Sequence, residues 1–220
     1  MKNIVQSLSV LCVCLFPLAS KADVQKTLPI IEQQPQVSGF YQHQVGDTQI
    51  TALLDGTNFM SPTLFKDISS DKVQEILKKY HADQAKGVQT SVNAFLVNTG
   101  KSLVLVDSGT ADCFGTHLGS VLKNLKASGY QPEQVNTILL THLHPDHSCG
   151  VSKNGIANFP NATIYVSERE ASYWLNPKQA EKIAQNKRQN YVATVEKIKA
   201  ALAPYQAKQQ FKTDRKSTRL

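Results

Sequence analysis

The residues best suited to chemistry are the histidines and the aspartate of segment 141–147, Thr-His-Leu-His-Pro-Asp-His. His142 and His144 follow an apolar run, and in an extended backbone side chains at i and i+2 point to the same side. Two imidazoles placed in this way can bind one metal ion at about 2.0–2.1 Å. The intervening proline bends the chain, so Asp146 and His147 can face a second ion. The spacing therefore predicts a two-metal site in which the ions share a hydroxide.

A polar turn with clustered histidines is the alternative to a metal site at this segment. The chain has only six histidines, so three of them at fixed spacing rarely arise by chance. The other three, His43, His81 and His117, are isolated, and we predict that they are surface or capping residues.

The segments that must position these residues alternate between strands and helices. Strands are predicted at 91–97, 103–106, 135–140 and 163–166, after a hairpin at 39–55; helices are predicted at 70–80, 118–129 and 167–174, with one long helix from 177 to 202. The pattern indicates an α/β fold with apolar strands buried on both faces. The strand at 135–140 ends directly before the histidines, which places them at the end of a sheet.

The N-terminal residues 1–22 are typical of a secretory signal peptide. Lys2 precedes a mostly apolar stretch at 4–18, and small residues at Ser20 and Ala22 suit a cleavage site. A transmembrane anchor is the alternative, but a span needs about 20 apolar residues. We therefore predict a periplasmic or secreted protein without a membrane anchor, in which residues 23–38 form an N-terminal extension.

Cys113 and Cys149 remain after removal of this leader. An oxidising compartment permits a disulfide between them, and two unpaired buried cysteines are the equally weighted alternative. The formal charge of the whole chain is +7, but the basic residues are scattered. Nucleic-acid binding usually needs a clustered basic face, so we do not expect a nucleic-acid partner.

The histidine segment after an apolar strand resembles the metal-binding signature of the metallo-β-lactamase superfamily, as does Leu-Val-Leu-Val-Asp-Ser-Gly at 103–109. Segments 51–56, 90–100, 122–135 and 171–175 resemble the branch that contains methyl parathion hydrolase. The resemblance implies an αβ/βα four-layer sandwich, truncated here to roughly its N-terminal half. It covers residues 39–212 as an incomplete domain, and residues 213–220 are an atypical tail that we interpret as a sequence-end artefact.

The same resemblance implies roles for individual residues. His142 and His144 would bind the first of two divalent ions, which are usually zinc in this family, and Asp146 and His147 would bind the second. Asp107 would support the metal-binding loop structurally.

Aromatic residues line the substrate pocket in the methyl parathion hydrolase branch. Phe114, Trp174 and Tyr191 are the positions that match here, Tyr191 being aligned less surely. Core packing is the alternative role for Trp174, because it lies on an amphipathic helix.

The chain also departs from the family. No histidine and no cysteine follows Cys149, whereas the family needs two further histidines and a bridging aspartate. We therefore interpret the chain as an N-terminal fragment and expect weak metal binding and negligible hydrolysis from it. A natural half-size protein that completes its site as a homodimer is the alternative.

The resemblance implies a zinc-dependent hydrolase that directs a metal-bound hydroxide at a phosphoester, ester or lactone, with β-lactams less favoured. Asp146 would be the catalytic residue that holds one ion and orients the nucleophile. One alternative is a non-catalytic periplasmic metal-binding protein. Another is an iron oxidoreductase on the same fold, but those enzymes usually carry an acidic residue where His144 stands.

Overall fold

A seven-stranded mixed sheet organises the protein in the computed structural model, which describes residues 38–82, 85–115 and 117–215. All of these residues fall within the compact unit Gln36–Leu220. The predicted signal peptide and the extension up to residue 37 lie outside the described residues, as do residues 216–220 of the predicted tail.

The sheet has the strand order β1-β2-β3-β4-β5-β8-β9. Its strands are β1 (Phe40–Val45), β2 (Thr48–Met60), β3 (Val88–Asn98), β4 (Leu103–Val106), β5 (Thr137–Leu140), β8 (Thr163–Ser167) and β9 (Phe211–Asp214). The strands up to β4 pair antiparallel, and those from β4 onward pair parallel. A small hairpin of β6 (Ser152–Lys153) and β7 (Ile156–Ala157) stands apart.

Within the described ranges, five α-helices connect the strands. They are α1 (Ser70–Lys79), α2 (Val121–Ala127), α3 (Pro145–Ser148), α4 (Glu168–Trp174) and α5 (Gln185–Ala207). Short 3₁₀ turns occupy Pro62–Leu64, Pro132–Gln134, Cys149–Val151 and Pro177–Lys182. No helix in the described ranges is long and apolar enough to cross a bilayer.

Among the residues that the structure describes, only one face of the sheet carries the core, which corrects the expectation that the strands are buried on both faces. Alternate residues of a strand point to opposite faces, and neighbouring strands hold this alternation in register. One row across the sheet is fully buried and consists of Leu96, Leu105, Ile138 and Ile164. The adjacent row includes Phe95 and Leu139, which are 44% and 42% exposed. Helices cover the first face, where Ile198, Leu202 and Tyr205 of α5 join the core.

The predicted strands and shorter helices are confirmed, with shifts at their ends. β2 continues to Met60 because it pairs with the whole of β3, through a register shift between Leu54 and Gly56. Ser167 caps α4, since its hydroxyl accepts a hydrogen bond from the Glu170 N–H. At α1 the capping side chain is Ser69, whose hydroxyl accepts a hydrogen bond from the Lys72 N–H.

The prediction of a single long helix from residue 177 is wrong. A 3₁₀ turn ends at Lys182, and the chain is extended at Ile183 and Ala184 before α5 begins. The Arg188 guanidinium donates to the carbonyl oxygens of Glu181 and Ile183, which satisfies backbone acceptors at the break. The strand β9 was not predicted, and it continues through Asp214, so the expected boundary between residues 212 and 213 falls inside a strand.

Candidate metal centre and cleft

The predicted ligands lie on the loop that leaves β5 and on the single turn of α3. His142 and His144 converge, with Nε2 of His142 3.1 Å from Nδ1 of His144. Two ligand atoms of one tetrahedral zinc ion are about 3.3 Å apart, given zinc–nitrogen bonds of about 2.0–2.1 Å. The separation of these two nitrogens therefore suits a shared ion.

Asp146 and His147 form a second pair beside the first. Nε2 of His147 is 3.4 Å from Oδ2 of Asp146, and the imidazole of His147 lies 3.9 Å from that of His142 between ring centroids. Within the described ranges, however, no group of three or more His, Cys, Asp or Glu side chains is arranged to hold a metal ion. The structure thus brings the four predicted ligands together as two pairs, and each pair offers two donors.

Asp107 fixes the loop that carries these pairs. It ends β4 with a left-handed backbone (φ 60°), and its carboxylate accepts hydrogen bonds from the N–H and the hydroxyl of Thr141 at 2.9 Å each. The Nδ1–H of His147 also donates to it at 2.8 Å. Since a carboxylate only accepts, this bond places the proton of a neutral His147 on Nδ1 and leaves the lone pair on Nε2.

The turn after His147 packs tightly against the strand end at Asp107. The N–H and the hydroxyl of Ser108 both donate to the His147 carbonyl at 2.8 Å. Gly150 passes so close that a Cβ there would collide with the Ser108 carbonyl oxygen. A glycine is therefore required at position 150 for α3 to approach β4 closely enough to place His147 on Asp107.

Glu170 is a contact of the metal loop that the sequence did not reveal. Its Oε2 accepts a hydrogen bond from the Leu143 N–H at 3.1 Å, in the backbone between the two histidines of the first pair. Glu170 lies in the first turn of α4, and the N-cap serine at position 167 is the only sequence signal that marks its position. The carboxylate holds the peptide that sets the orientation of His142 and His144.

The pKa values of three residues in the site, His142, Asp146 and His147, differ from their ordinary values and do not all shift in the same direction. Burial opposes charge on His147, but the hydrogen bonds and charges of Asp107 and Asp146 outweigh it and raise its pKa to about 9. Burial also opposes charge on Asp146, yet its hydrogen bond with His147 lowers its pKa overall. Burial lowers the pKa of His142, as do the neighbouring imidazoles. His142 is thus neutral and ready to bind a metal near pH 7, whereas His147 must lose a proton first.

A cleft of about 390 Å³ opens beside His144 and Asp146. Phe114 and Trp174 line it, and the Trp174 ring lies 5.2 Å from the His144 ring between centroids. The volume is within the range of small-molecule sites, about 300–1,000 Å³. Trp174 also packs against the hydrophobic core. Its side chain therefore contacts both the cleft and the core, the two environments considered for it from the sequence.

Tyr191 does not reach this cleft. It is 8% exposed, stacks on Trp174 at 5.3 Å between ring centroids, and donates its hydroxyl proton to the Tyr173 carbonyl. Its position differs from the predicted pocket role because it lies on the buried face of α5. Tyr191 therefore packs against the Trp174 ring without lining the cleft itself.

Cys113 and Cys149 are joined in a disulfide, which decides between the two alternatives left open by the sequence. The bond ties the loop that carries Phe114 to the turn that follows His147. One covalent link therefore connects a wall of the cleft to the metal loop. His43, His81 and His117 are exposed, as predicted for isolated histidines.

The pattern that defines the metallo-beta-lactamase superfamily matches residues 87–208. The chain belongs to this superfamily. A solved structure described as hydrolase AbOPH in the beta lactamase superfamily is 75% identical, with a TM-score of 0.79, and the match covers 82% of this chain and 62% of that one. AidC, a dizinc quorum-quenching lactonase solved with a product, is 25% identical with a TM-score of 0.67 and the same two coverages.

A curated protein from Drosophila melanogaster, the beta-lactamase-like protein 2 homolog, is 43% identical over 61 residues. That match covers 27% of this chain and 19% of the fly protein. The chain thus spans less than two thirds of each of these relatives. It has the α/β architecture of a metallo-β-lactamase fold, and the superfamily members that it resembles over most of its length are hydrolases.

Proposed function

We propose that the protein is a metal-dependent hydrolase of small phosphoesters, esters or lactones, with zinc as the metal. The observation that carries the proposal is the placement of two ligand-distance pairs, His142 with His144 and Asp146 with His147, at the mouth of an aromatic cleft. The similarity to AidC, which is a dizinc lactonase, supports the choice of metal.

The donor set suits zinc in chemical type, since imidazole nitrogens and a carboxylate are its usual ligands together with thiolates. The 3.1 Å separation of the two donor nitrogens in the first pair supports a shared ion. Catalytic zinc sites use three protein ligands, one more than either pair supplies. We therefore infer that each pair alone binds an ion weakly.

When bound, a divalent ion lowers the pKa of a coordinated water and polarises the oxygen of an ester or phosphoester. The protein's own side chains do the remaining work. Asp107 and Glu170 hold the loop so that His142 and His144 converge. Asp146 is proposed as the catalytic residue, because its carboxylate stays ionised and lines the cleft where a nucleophilic water would be oriented.

Phe114 and Trp174 define the part of the substrate that the cleft accepts. Both are large apolar side chains that line the same cleft, so they suit an aryl or alkyl group of the ester. Tyr191 contributes by holding the Trp174 ring in place.

A metal-binding protein without turnover is the second candidate. It is favoured by the observation that, in the described part of the chain, no three donors gather around one point. This candidate predicts zinc uptake by the same four side chains and no hydrolysis of any ester. Assembly of a homodimer would add donors from a second copy, and light scattering of the purified protein tests that assembly directly.

Zinc titration and hydrolysis assays on the same preparations test the proposal. We expect zinc to quench or shift the fluorescence of Trp174, the only tryptophan in the chain, and His142→Ala to remove this response. In a full-length protein that contains these residues, the same change should also remove hydrolysis of aryl phosphotriesters, aryl esters and lactones. His43→Ala, at an exposed strand position, is the matched control. Hydrolysis that survives His142→Ala would overturn the assignment, and zinc binding without hydrolysis would support the second candidate.

We also propose export of the protein to the periplasm or the medium. The Cys113–Cys149 disulfide supports this proposal, because such bonds persist in oxidising compartments. Mass spectrometry of the protein from a periplasmic fraction tests it, and a mass that retains the first 22 residues would contradict cleavage at the expected position.

A further inference from the structure

One face of α5 forms part of the wall of the cleft. Asn190, Ala193, Thr194 and Lys197 line the cleft together, and their spacing places them on one side of a helix. The Thr194 hydroxyl donates to the Asn190 carbonyl within the helix. Lys197 is therefore the side chain that gives this wall its positive charge.

Lys197 is held in place by two contacts with the Phe114 loop. Its Nζ donates to the Cys113 carbonyl at 2.9 Å and lies 5.2 Å from the centroid of the Phe114 ring. The Cys113 carbonyl belongs to a residue anchored by the disulfide. The ammonium is thus fixed before any ligand arrives, which reduces the entropy lost on binding.

The charge of Lys197 is not compensated by an acidic partner in the parts of the chain that the structure describes. Its bonded partner is a neutral carbonyl, and the adjacent Glu196 faces Lys199 at 3.7 Å instead. An ammonium has three donors, so two remain for a ligand. Asp146 supplies negative charge on the metal-loop side of the same cleft, which disfavours an anion there and favours one at Lys197.

We propose that the cleft selects substrates whose apolar group carries an anionic substituent, such as a carboxylate, and that Lys197 is the specificity-determining residue. This inference rests on the proposed function, since it concerns the substrate of the same cleft. The apolar group lies between Phe114 and Trp174, and the anionic substituent accepts hydrogen bonds from the Lys197 ammonium. Neutral analogues of the same shape make the apolar contacts and lack the charged one.

Binding of benzoate and of benzamide to the chelator-treated protein tests the proposal without any dependence on metal or turnover. The two ligands have the same shape and differ in charge, and fluorescence of Trp174 reports their binding. We expect benzoate to bind about five-fold more tightly than benzamide, the upper range for an exposed ion pair, and this preference to fall as salt screens the charge.

Variants at position 197 separate charge from shape. Lys197→Met should abolish the preference for benzoate, Lys197→Arg should retain it, and Lys199→Met on the same helix should leave it unchanged. Equal binding of the two ligands to the unaltered protein, or no saturable binding of benzoate, would overturn the proposal. An equal loss of affinity for both ligands in Lys197→Met would also overturn it, because Lys197 would then only support Phe114. Absence of hydrolysis, by contrast, would count against the proposed function alone.

Discussion

Replacement of Asp107 by asparagine isolates the contribution of one buried carboxylate to the metal loop. Asparagine is among the few side chains that tolerate a left-handed backbone, and the φ of Asp107 is 60°. The substitution therefore keeps the strand end in its conformation. It removes the negative charge and exchanges one acceptor oxygen for an NH₂ donor.

The magnitude follows from the donors that Asp107 serves. Its side chain is 10% exposed and accepts from the Thr141 N–H, the Thr141 hydroxyl and the His147 Nδ1–H. One amide oxygen cannot serve all three, and each buried donor left without an acceptor costs about 1–3 kcal/mol. This donor loss is part of breaking the buried pair of Asp107 and His147, and breaking a buried pair costs about 3–5 kcal/mol in total. We expect Asp107→Asn to lower the free energy of unfolding by about 3–5 kcal/mol.

The same change should weaken zinc binding. Residues that orient metal ligands through hydrogen bonds typically alter metal affinity by about 10–100-fold when replaced, and Asp107 orients His147 directly. Urea unfolding and zinc titration, both followed by Trp174 fluorescence, measure the two effects on one preparation. Asp112→Asn, an exposed change in the loop after Asp107, should alter the unfolding free energy by no more than about 0.5 kcal/mol.

Two outcomes would refute this reasoning. Unfolding of Asp107→Asn at the same urea concentration as the unaltered protein would show that the three hydrogen bonds do not hold the loop. Reduced stability with unchanged zinc affinity would show that Asp107 stabilises the fold without orienting the ligands. If Asp107→Asn does not fold, the milder Thr141→Val removes only the hydroxyl donor, and we expect it to cost about 1 kcal/mol.

Three further predictions concern the stability of the metal-free protein. Tyr205→Phe should lower the free energy of unfolding by about 1–3 kcal/mol in urea, because the buried Phe159 N–H then loses its acceptor; a loss below 0.5 kcal/mol would contradict this. The pKa of His147 rises from 6.5 to about 9 on folding, so its contribution is complete below pH 6.5 and is lost as pH rises through about 9. Urea unfolding between pH 6 and 10 should show this decline, and His147→Gln should flatten it. Reduction of Cys113–Cys149, 36 residues apart, should cost about 4 kcal/mol by the loop-entropy estimate, and unchanged urea unfolding with a reductant would argue against it.

The sequence predicted those parts of the molecule that depend on local spacing. Apolar runs such as Leu103–Val106 became strands with the predicted ends, and the spacing of His142 and His144 brought their nitrogens together. Such features need only the periodicity of a strand and the turn that follows it.

The features that the sequence did not show depend on tertiary neighbours far apart in the chain. Glu170 bonds to Leu143 across 27 residues, and Lys197 bonds to Cys113 across 84. Nothing in the local pattern distinguishes these side chains from exposed charged residues on other helices. Tyr191 was expected in the pocket from the resemblance to the methyl parathion hydrolase branch, but it lies on the buried face of its helix.

The exposed face of the sheet could not be predicted from the sequence either. Apolar residues such as Leu139 alternate with buried ones in the same strand, and an apolar run does not say which of its faces finds a covering layer. Predicting that Phe95 and Leu139 are exposed therefore requires knowledge of how the strands pair across the sheet.

The disulfide has a topological consequence for the metal loop. All four proposed ligands, from His142 to His147, lie inside the covalent ring closed by Cys113 and Cys149. A single protease cut anywhere within this ring opens it but leaves the two pieces joined by the sulfur bridge. A nicked molecule thus retains the ligand-bearing segment, and two cuts on opposite sides of that segment are needed to release it.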